Sequence, residues 1–325
     1  LQIYFGGEKM KKYLVTFLVL VLLFLSSFAN YPTKAVTIIC PWSAGGGSDR
    51  IARVIANGLE EEFGKPFVVL NKPGGGGAVG HTAGAYAKPD GYTLTFVTQE
   101  LATLHWLGFA KVNYENFEYI IQVNEDPAGV VVRKDAPWNT INDLLEDIKV
   151  NPGKYKFSGS GPASVWDLSR VGMLDKAGIS PSNVLWVPTD GAAPALVELL
   201  GGHVDVITCS IAEVSPQIKA GEVRALAVMS DERLSEFPDV PTLKEQGIDW
   251  SSGTWRGLAA PKGTPKEIIN IIYQNMLKVV NKETFIDFMK KNGFGIKIRD
   301  PESFFEFVKK EDGEWKHLLQ LGGYI

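Results

Sequence analysis

The chain has 325 residues, a formal charge of −4 and a hydrophobic fraction of 45%. That balance suits a chain that buries a sizeable core, and it gives no electrostatic reason to approach nucleic acid. With Cys40 and Cys209 as its only cysteines it is not a disulfide scaffold; two buried thiols are the reading, and a single bridge in an oxidising compartment is the alternative.

Residues Leu1 to Lys9 precede the first methionine, Met10, and are set aside as a remnant or an overlong start. Lys11 and Lys12 then lead into a run from Leu14 to Leu25 that is apolar apart from Thr16, and small residues follow around Ser27-Phe28-Ala29. This is the pattern of a secretory signal cleaved near Ala29, and no cysteine stands there to take a lipid. The run is about a dozen residues long, short of the roughly 20 that span a bilayer as a helix, so a soluble exported protein is expected and an uncleaved anchor is the alternative. About 295 residues remain, comfortable for two lobes.

Short β-branched runs then alternate with helical patterns, which predicts α/β architecture with mainly parallel sheets. Strands are expected at Val36 to Cys40, Phe67 to Leu70, Tyr92 to Val97, Gly129 to Val132, Lys156 to Ser158, Val184 to Val187, Val204 to Cys209 and Arg224 to Met229. Thr140 with Asp143 forms a capping-box pattern opening a helix through Ile148, and Gly201-Gly202 closes one that begins near Ala192. From Pro265 onward the pattern is mostly helical, with segments at Ile268 to Val280, Glu283 to Lys291 and Pro301 to Leu321. Helices of that length need a sheet to cover. If they return to the first lobe, residues 31–130 and 255–325 make lobe 1, 131–254 make lobe 2, and a ligand cleft lies between.

Three glycine-bearing loops each follow a strand and precede a helix. In the first, Trp42-Ser43-Ala44-Gly45-Gly46-Gly47-Ser48-Asp49 joins the first strand to a helix with Ile51, Ile55, Leu59 and Phe63 on one face. Free amides at a helix start, with the positive end of the helix dipole behind them, bind carboxylate or phosphate. Asp49 reads as a favourable charge in the first turn, with direct ligand contact as the alternative. The second loop holds a formal G-x-G-x-x-G at Gly75, Gly77 and Gly80, but no acidic strand end follows about 20 residues on; close strand–helix packing is the preferred reading over dinucleotide binding.

The third loop, Ser158-Gly159-Ser160-Gly161-Pro162-Ala163-Ser164, mirrors the first from the other lobe. Ser160 and Ser164 offer hydroxyls, and Ser164 is placed to cap the next helix. His81, His105, His203 and His317 are scattered without a metal-ligand spacing, and no nucleophile elbow occurs. His203, Asp205 and Cys209 alternate along one strand, which points to packing rather than a catalytic set.

Taken together, Tyr31-Pro32, Pro41 to Asp49, Asn71-Lys72-Pro73-Gly74-Gly75-Gly76-Gly77, Pro89 to Leu94, Ala193 to Leu196, Leu200 to Val206, Gly221 to Val228, Asp239 to Thr242 and Gly257 to Pro265 resemble the tripartite tricarboxylate transporter receptors, also called the Bug family. The resemblance implies a periplasmic, monomeric, two-lobed binding protein of the Venus-flytrap type, without catalysis, cofactor or metal. It would deliver a small organic acid to a membrane permease of one large and one small integral subunit. It also implies that the loops matching Ala44 to Asp49 and Ser158 to Ser164 grip a carboxylate, largely through backbone groups and water. Asp167 stands where the family often has histidine, and Thr189-Asp190 where it often has tyrosine-lysine. These acids disfavour a second carboxylate unless a cation offsets them and suit a ligand hydroxyl or amino group. Arg256 is the candidate cation, either binding ligand or pairing with Asp167 or Asp190, and Trp42, Trp166 and Trp255 offer flat apolar surface. A secreted enzyme using the Gly75 loop, or a ligand-sensing module, are the other classes to weigh.

Overall fold

The computed structural model describes residues 31–325 and, apart from them, Tyr13. The signal segment expected at residues 11–29 otherwise lies outside the described residues. No helix among the described residues is long and apolar enough to cross a membrane.

The strands are β1 (Val36–Cys40), β2 (Phe67–Asn71), β3 (Thr93–Thr98), β4 (Phe117–Arg133), β5 (Lys156–Ser158), β6 (Leu185–Trp186), β7 (Val206–Ser210), β8 (Val223–Val228), β9 (Gly253–Pro261) and β10 (Ile296–Arg299). The helices are α1 (Gly47–Phe63), α2 (Ala78–Ala85), α3 (Ile141–Val150), α4 (Val165–Lys176), α5 (Ala192–Leu200), α6 (Ile211–Lys219), α7 (Lys266–Val280), α8 (Glu283–Asn292) and α9 (Pro301–Leu321). The Thr140–Asp143 capping box opens α3, and Gly201 closes α5, as their spacing predicts.

One sheet runs β2-β1-β3-β9-β4 with β10 also on β4; the other runs β4-β7-β5-β6 with β8 also on β4. Pairing is mixed, which corrects the mainly parallel expectation. Strands β1, β2 and β3 are parallel, as are β5, β6 and β7, but β9 runs antiparallel to both β3 and β4, and β7 and β8 run antiparallel to β4. The physical cause is β4 itself. It is a single 17-residue strand whose first part, through Pro127, pairs with β9, while Ala128 onward pairs with β7 and β8. A strand that leaves one sheet through another must be met by a return strand, and β9 supplies it.

Each sheet has its own core. Ile51, Ile55 and Leu59 of α1 are fully buried against Ile38, Phe96 and the α7 residues Ile272 and Met276. Each such side chain contributes about 1.5–3 kcal/mol of transfer free energy. A second core gathers Val130, Phe157, Leu168, Val206 and Leu199 around the other sheet. Helix α9 joins a third cluster to the second core: Phe304 and Val308 sit with Phe117, Tyr119 and Trp255, while Trp315, Leu318 and Leu319 belong to the core that holds α4. Cys40 and Cys209 are buried free thiols, which agrees with their expected burial.

The second glycine loop is a packing device. Gly80 lies where a Cβ would stand 2.4 Å from the Cα of Pro41 and 2.9 Å from the carbonyl oxygen of Lys72, so only glycine lets α2 sit against the first loop. His81, fully buried on the same helix, faces the Gly77 carbonyl through Nδ1 at 2.9 Å and accepts the Thr98 amide through Nε2 at 3.2 Å. Gly80→Ala is therefore expected to cost about 2–3 kcal/mol, because backbone rather than a movable side chain must give. Urea denaturation checks this, and an unchanged midpoint would show that α2 is free to shift.

Candidate functional site

The first loop is set by its own carboxylate. Gly45 has φ +86°, Gly46 is the extended N-cap of α1, and Asp49 in the first turn reaches back to accept the Gly45 N–H at 2.8 Å. Asp49 also accepts from Asn71 Nδ2 at 2.8 Å and from Arg53 Nε at 3.0 Å, with Arg53 Nη2 2.9 Å from its other oxygen. Burial works to raise its carboxyl, but bonds from Arg53, Gly45 and Asn71 outweigh this and hold it below the usual carboxylate range. Both oxygens are engaged within the chain, which supports the helix-start reading over ligand contact. The amides of Gly47, Ser48 and Asp49 precede the first intrahelical acceptor geometry, since Arg50 is the first to reach back, to Gly46 at 3.0 Å.

The third loop repeats this construction in the second sheet. Ala163 has φ +56°, Ser164 is the extended N-cap of α4, and Asp167 accepts the Ala163 N–H at 2.9 Å. One turn on, Arg170 binds Asp167 at 2.7 Å, and the Tyr324 hydroxyl donates to the same carboxylate. Ser164 holds the cap position without capping; its hydroxyl donates to the Gly161 carbonyl at 2.5 Å and meets that of Ser160. Ser158 donates to the Val187 carbonyl at 2.7 Å, and the Thr189 amide to the Ser160 carbonyl at 3.1 Å, so Thr189 and the loop form one unit. Both loops thus use a left-handed residue, an extended cap, an aspartate turned back on the loop and an arginine fixing that aspartate. They present helix-start amides rather than side chains.

Asp167 is fully buried, with its oxygens engaged by Arg170, the Ala163 N–H and the Tyr324 hydroxyl. One expectation is corrected. Arg256 pairs with neither Asp167 nor Asp190, which stays exposed. Its Nη1 binds Asp126 at 2.6 Å and Asn124 at 2.5 Å, and its Nε binds Ser48 at 3.0 Å. The register explains this: Arg256 on β9 lies opposite Asn124 on β4, two residues from Asp126. Nη2 makes no hydrogen bond among the described residues and lies 3.2 Å from where a Cβ on Gly47 would stand, against the start of α1.

Sequence reasoning missed Glu100 and Glu213. Glu100 stands two residues beyond β3, and its carboxylate accepts from Thr98 Oγ1 at 2.7 Å, which in turn accepts from Trp42 Nε1 at 3.1 Å. Glu213 sits in the first turn of α6, just after β7. Burial raises both carboxyls, that of Glu213 to about 7, with Asp126 and Glu100 adding to its shift and Arg256 opposing it. The available signal was topological: both stand at the carboxyl ends of strands, on the rim where α/β sheets hold ligands.

A family model described as tripartite tricarboxylate transporter family receptor matches residues 51–323. The chain belongs to that family. The receptor is 36% identical to the protein from the TAR-I ttuE-ttuC' intergenic region of Agrobacterium vitis, over 74% of this chain and 69% of the relative. Among solved structures it resembles a TctC solute binding protein from Polaromonas, at 37% identity and TM-score 0.74 over 89% of this chain and 99% of the other. It also resembles MatC from Rhodopseudomonas palustris with bound malate, at 26% identity and TM-score 0.79 over 89% and 100%. The receptor is thus a solute-binding protein of two α/β lobes.

Proposed function

We propose that this receptor is exported to the periplasm after cleavage near Ala29, takes a small organic carboxylate between its lobes and hands it to a permease of one large and one small integral subunit. It acts as a monomer and without catalysis. The observation that carries the reading is the pair of matched helix-start loops, one in each sheet, with the Arg256 guanidinium held against the first. Amides at two helix N-termini and one fixed cation make an anion site that needs no further side chain. The malate bound to MatC belongs to the same ligand class. Residues 31–130 with 255–325 form one lobe and 131–254 the other, and the change of β4 partners after Pro127 supports a hinge there. Closure follows because a ligand touching both loops favours the closed state.

Thermal shift across mono-, di- and tricarboxylates and amino acids tests this. A true ligand at about 100 times its dissociation constant stabilises the protein by about 2.7 kcal/mol, whereas a flat response throughout overturns the reading. Gly47→Val should abolish binding of the best ligand by displacing Arg256 Nη2 and covering the α1 amides. Retained affinity in calorimetry would remove the first loop from the site.

A further inference from the structure

We propose that this receptor has a second binding site, on the face of β4 and β9 opposite Arg256, for a small organic cation of the amino-alcohol class. The site is a cavity of about 210 Å³ between these two strands and α9, where β4 changes partners.

Strand register places the cavity behind the first loop. Trp255 on β9 pairs with Glu125 on β4, next to the Arg256–Asn124 pair, and adjacent residues of a strand point to opposite faces. Arg256 therefore reaches Ser48 at the start of α1, whereas Trp255 meets Phe304 and Phe307 of α9 edge-on, with ring centroids 5.4 and 5.9 Å apart.

The lining decides the ligand. Glu125, Asp231, Glu311 and Glu314 line the cavity with Trp255 and Trp315, and among the described residues no Lys, Arg or His does. Arg299 shows beside it how a cation is held between acid and ring: it binds Glu125 at 2.8 Å, and its guanidinium carbon lies 3.9 Å from the centre of the Phe307 ring. Asp231 and Glu314 have their own partners, Lys244 at 2.6 Å and Lys310 at 3.3 Å. Glu311 has no ion pair among the described residues; its Oε2 accepts the Trp315 indole N–H at 2.5 Å.

An independent observation comes from Trp255, which is 1% exposed. Its indole N–H makes no hydrogen bond among the described residues, although it is turned toward the Glu311 carboxyl and favours the ionised form. A cationic nitrogen set against Glu311, with a neighbouring hydroxyl oxygen accepting from Trp255, answers both groups at once. An anion would face four carboxylates, and among the described residues no three His, Cys, Asp or Glu side chains stand together as a metal site.

The test is calorimetry on the full chain with ethanolamine, choline and 3,3-dimethylbutan-1-ol, the neutral counterpart of choline. The variants are Glu311→Gln, near-isosteric and checked by its melting curve, and Gly47→Val, which alters the first loop alone. At least one of the two cations is expected to bind saturably, with choline about tenfold or more ahead of the neutral alcohol if choline is the one bound. Glu311→Gln should weaken that cation about tenfold or more, and Gly47→Val should leave it unchanged. Binding of neither cation, equal binding of choline and the neutral alcohol, or an affinity unmoved by Glu311→Gln would overturn the site. Loss of cation binding in Gly47→Val would put the cation at the first loop and overturn it as well.

Discussion

Arg256→Ala is expected to lower the unfolding free energy by about 3–5 kcal/mol and to abolish ligand binding. The guanidinium is 4% exposed and binds Asp126, Asn124 and Ser48 together. Alanine leaves the Asp126 carboxylate in the interior without its cation, and breaking a buried pair from one side costs that much because a bare charge stays behind. The Gly295 amide, 2.8 Å from Asp126, and the Asn124 amide at 2.9 Å soften the loss without replacing a full charge. Urea denaturation reads the effect, and a change below about 1 kcal/mol would show that Asp126 needs no cation. The double variant Arg256→Met with Asp126→Asn separates the two roles: stability should largely return while affinity stays lost.

Stability should also fall as pH rises from 5 to 8 in the unliganded protein. Burial lifts the carboxyls of Glu213 and Glu311 from 4.5 to about 7; Asp126 and Glu100 assist the first, Glu314 and Glu125 the second, while the Trp315 indole bond to Glu311 opposes. For an acid whose folded pKa is raised, the stabilisation is complete below about 4.5 and is lost as pH climbs through about 7. Each group accounts for about 3 kcal/mol over that window. His81 has the opposite sign. Burial lowers it from 6.5 to about 4, so its contribution is complete above 6.5 and is lost as pH falls through 4, and it cancels about one of the two acids between 4.5 and 6.5. The decline should therefore amount to about one acid's worth between pH 5 and 6.5 and level off above about pH 7. Denaturation at four pH values measures it, and Glu213→Gln, which leaves one acid against His81, should remove most of the slope between pH 5 and 6.5. Stability that rose over that interval would mean the two acids are ionised in the folded protein.

Much of the site was legible because it is local. The strand-to-helix corners, the amides at the start of α1 and the role of Asp49 follow from residues within a few positions of one another. The Asp167–Arg170 pair is equally local, three residues apart on one helix, and is legible from that spacing. Strand β4 was visible only at Gly129 to Val132. Its preceding stretch, Gln122 to Pro127, is mostly polar and looks like a loop until Arg256, Arg299 and Gly295 are seen to satisfy it from elsewhere in the chain.

By itself the sequence determined the α/β class, the positions of most helices and the existence of two matched strand-to-helix loops, since hydrophobic periodicity and helix-start chemistry act over a few residues. Tertiary structure alone decided which acid takes Arg256, which acids remain without a cation and how the two sheets share β4. Those outcomes depend on strand register between segments far apart in the chain. Shifting β9 by one residue along β4 would turn the Arg256 side chain to the opposite face of the sheet, and no local pattern records that choice.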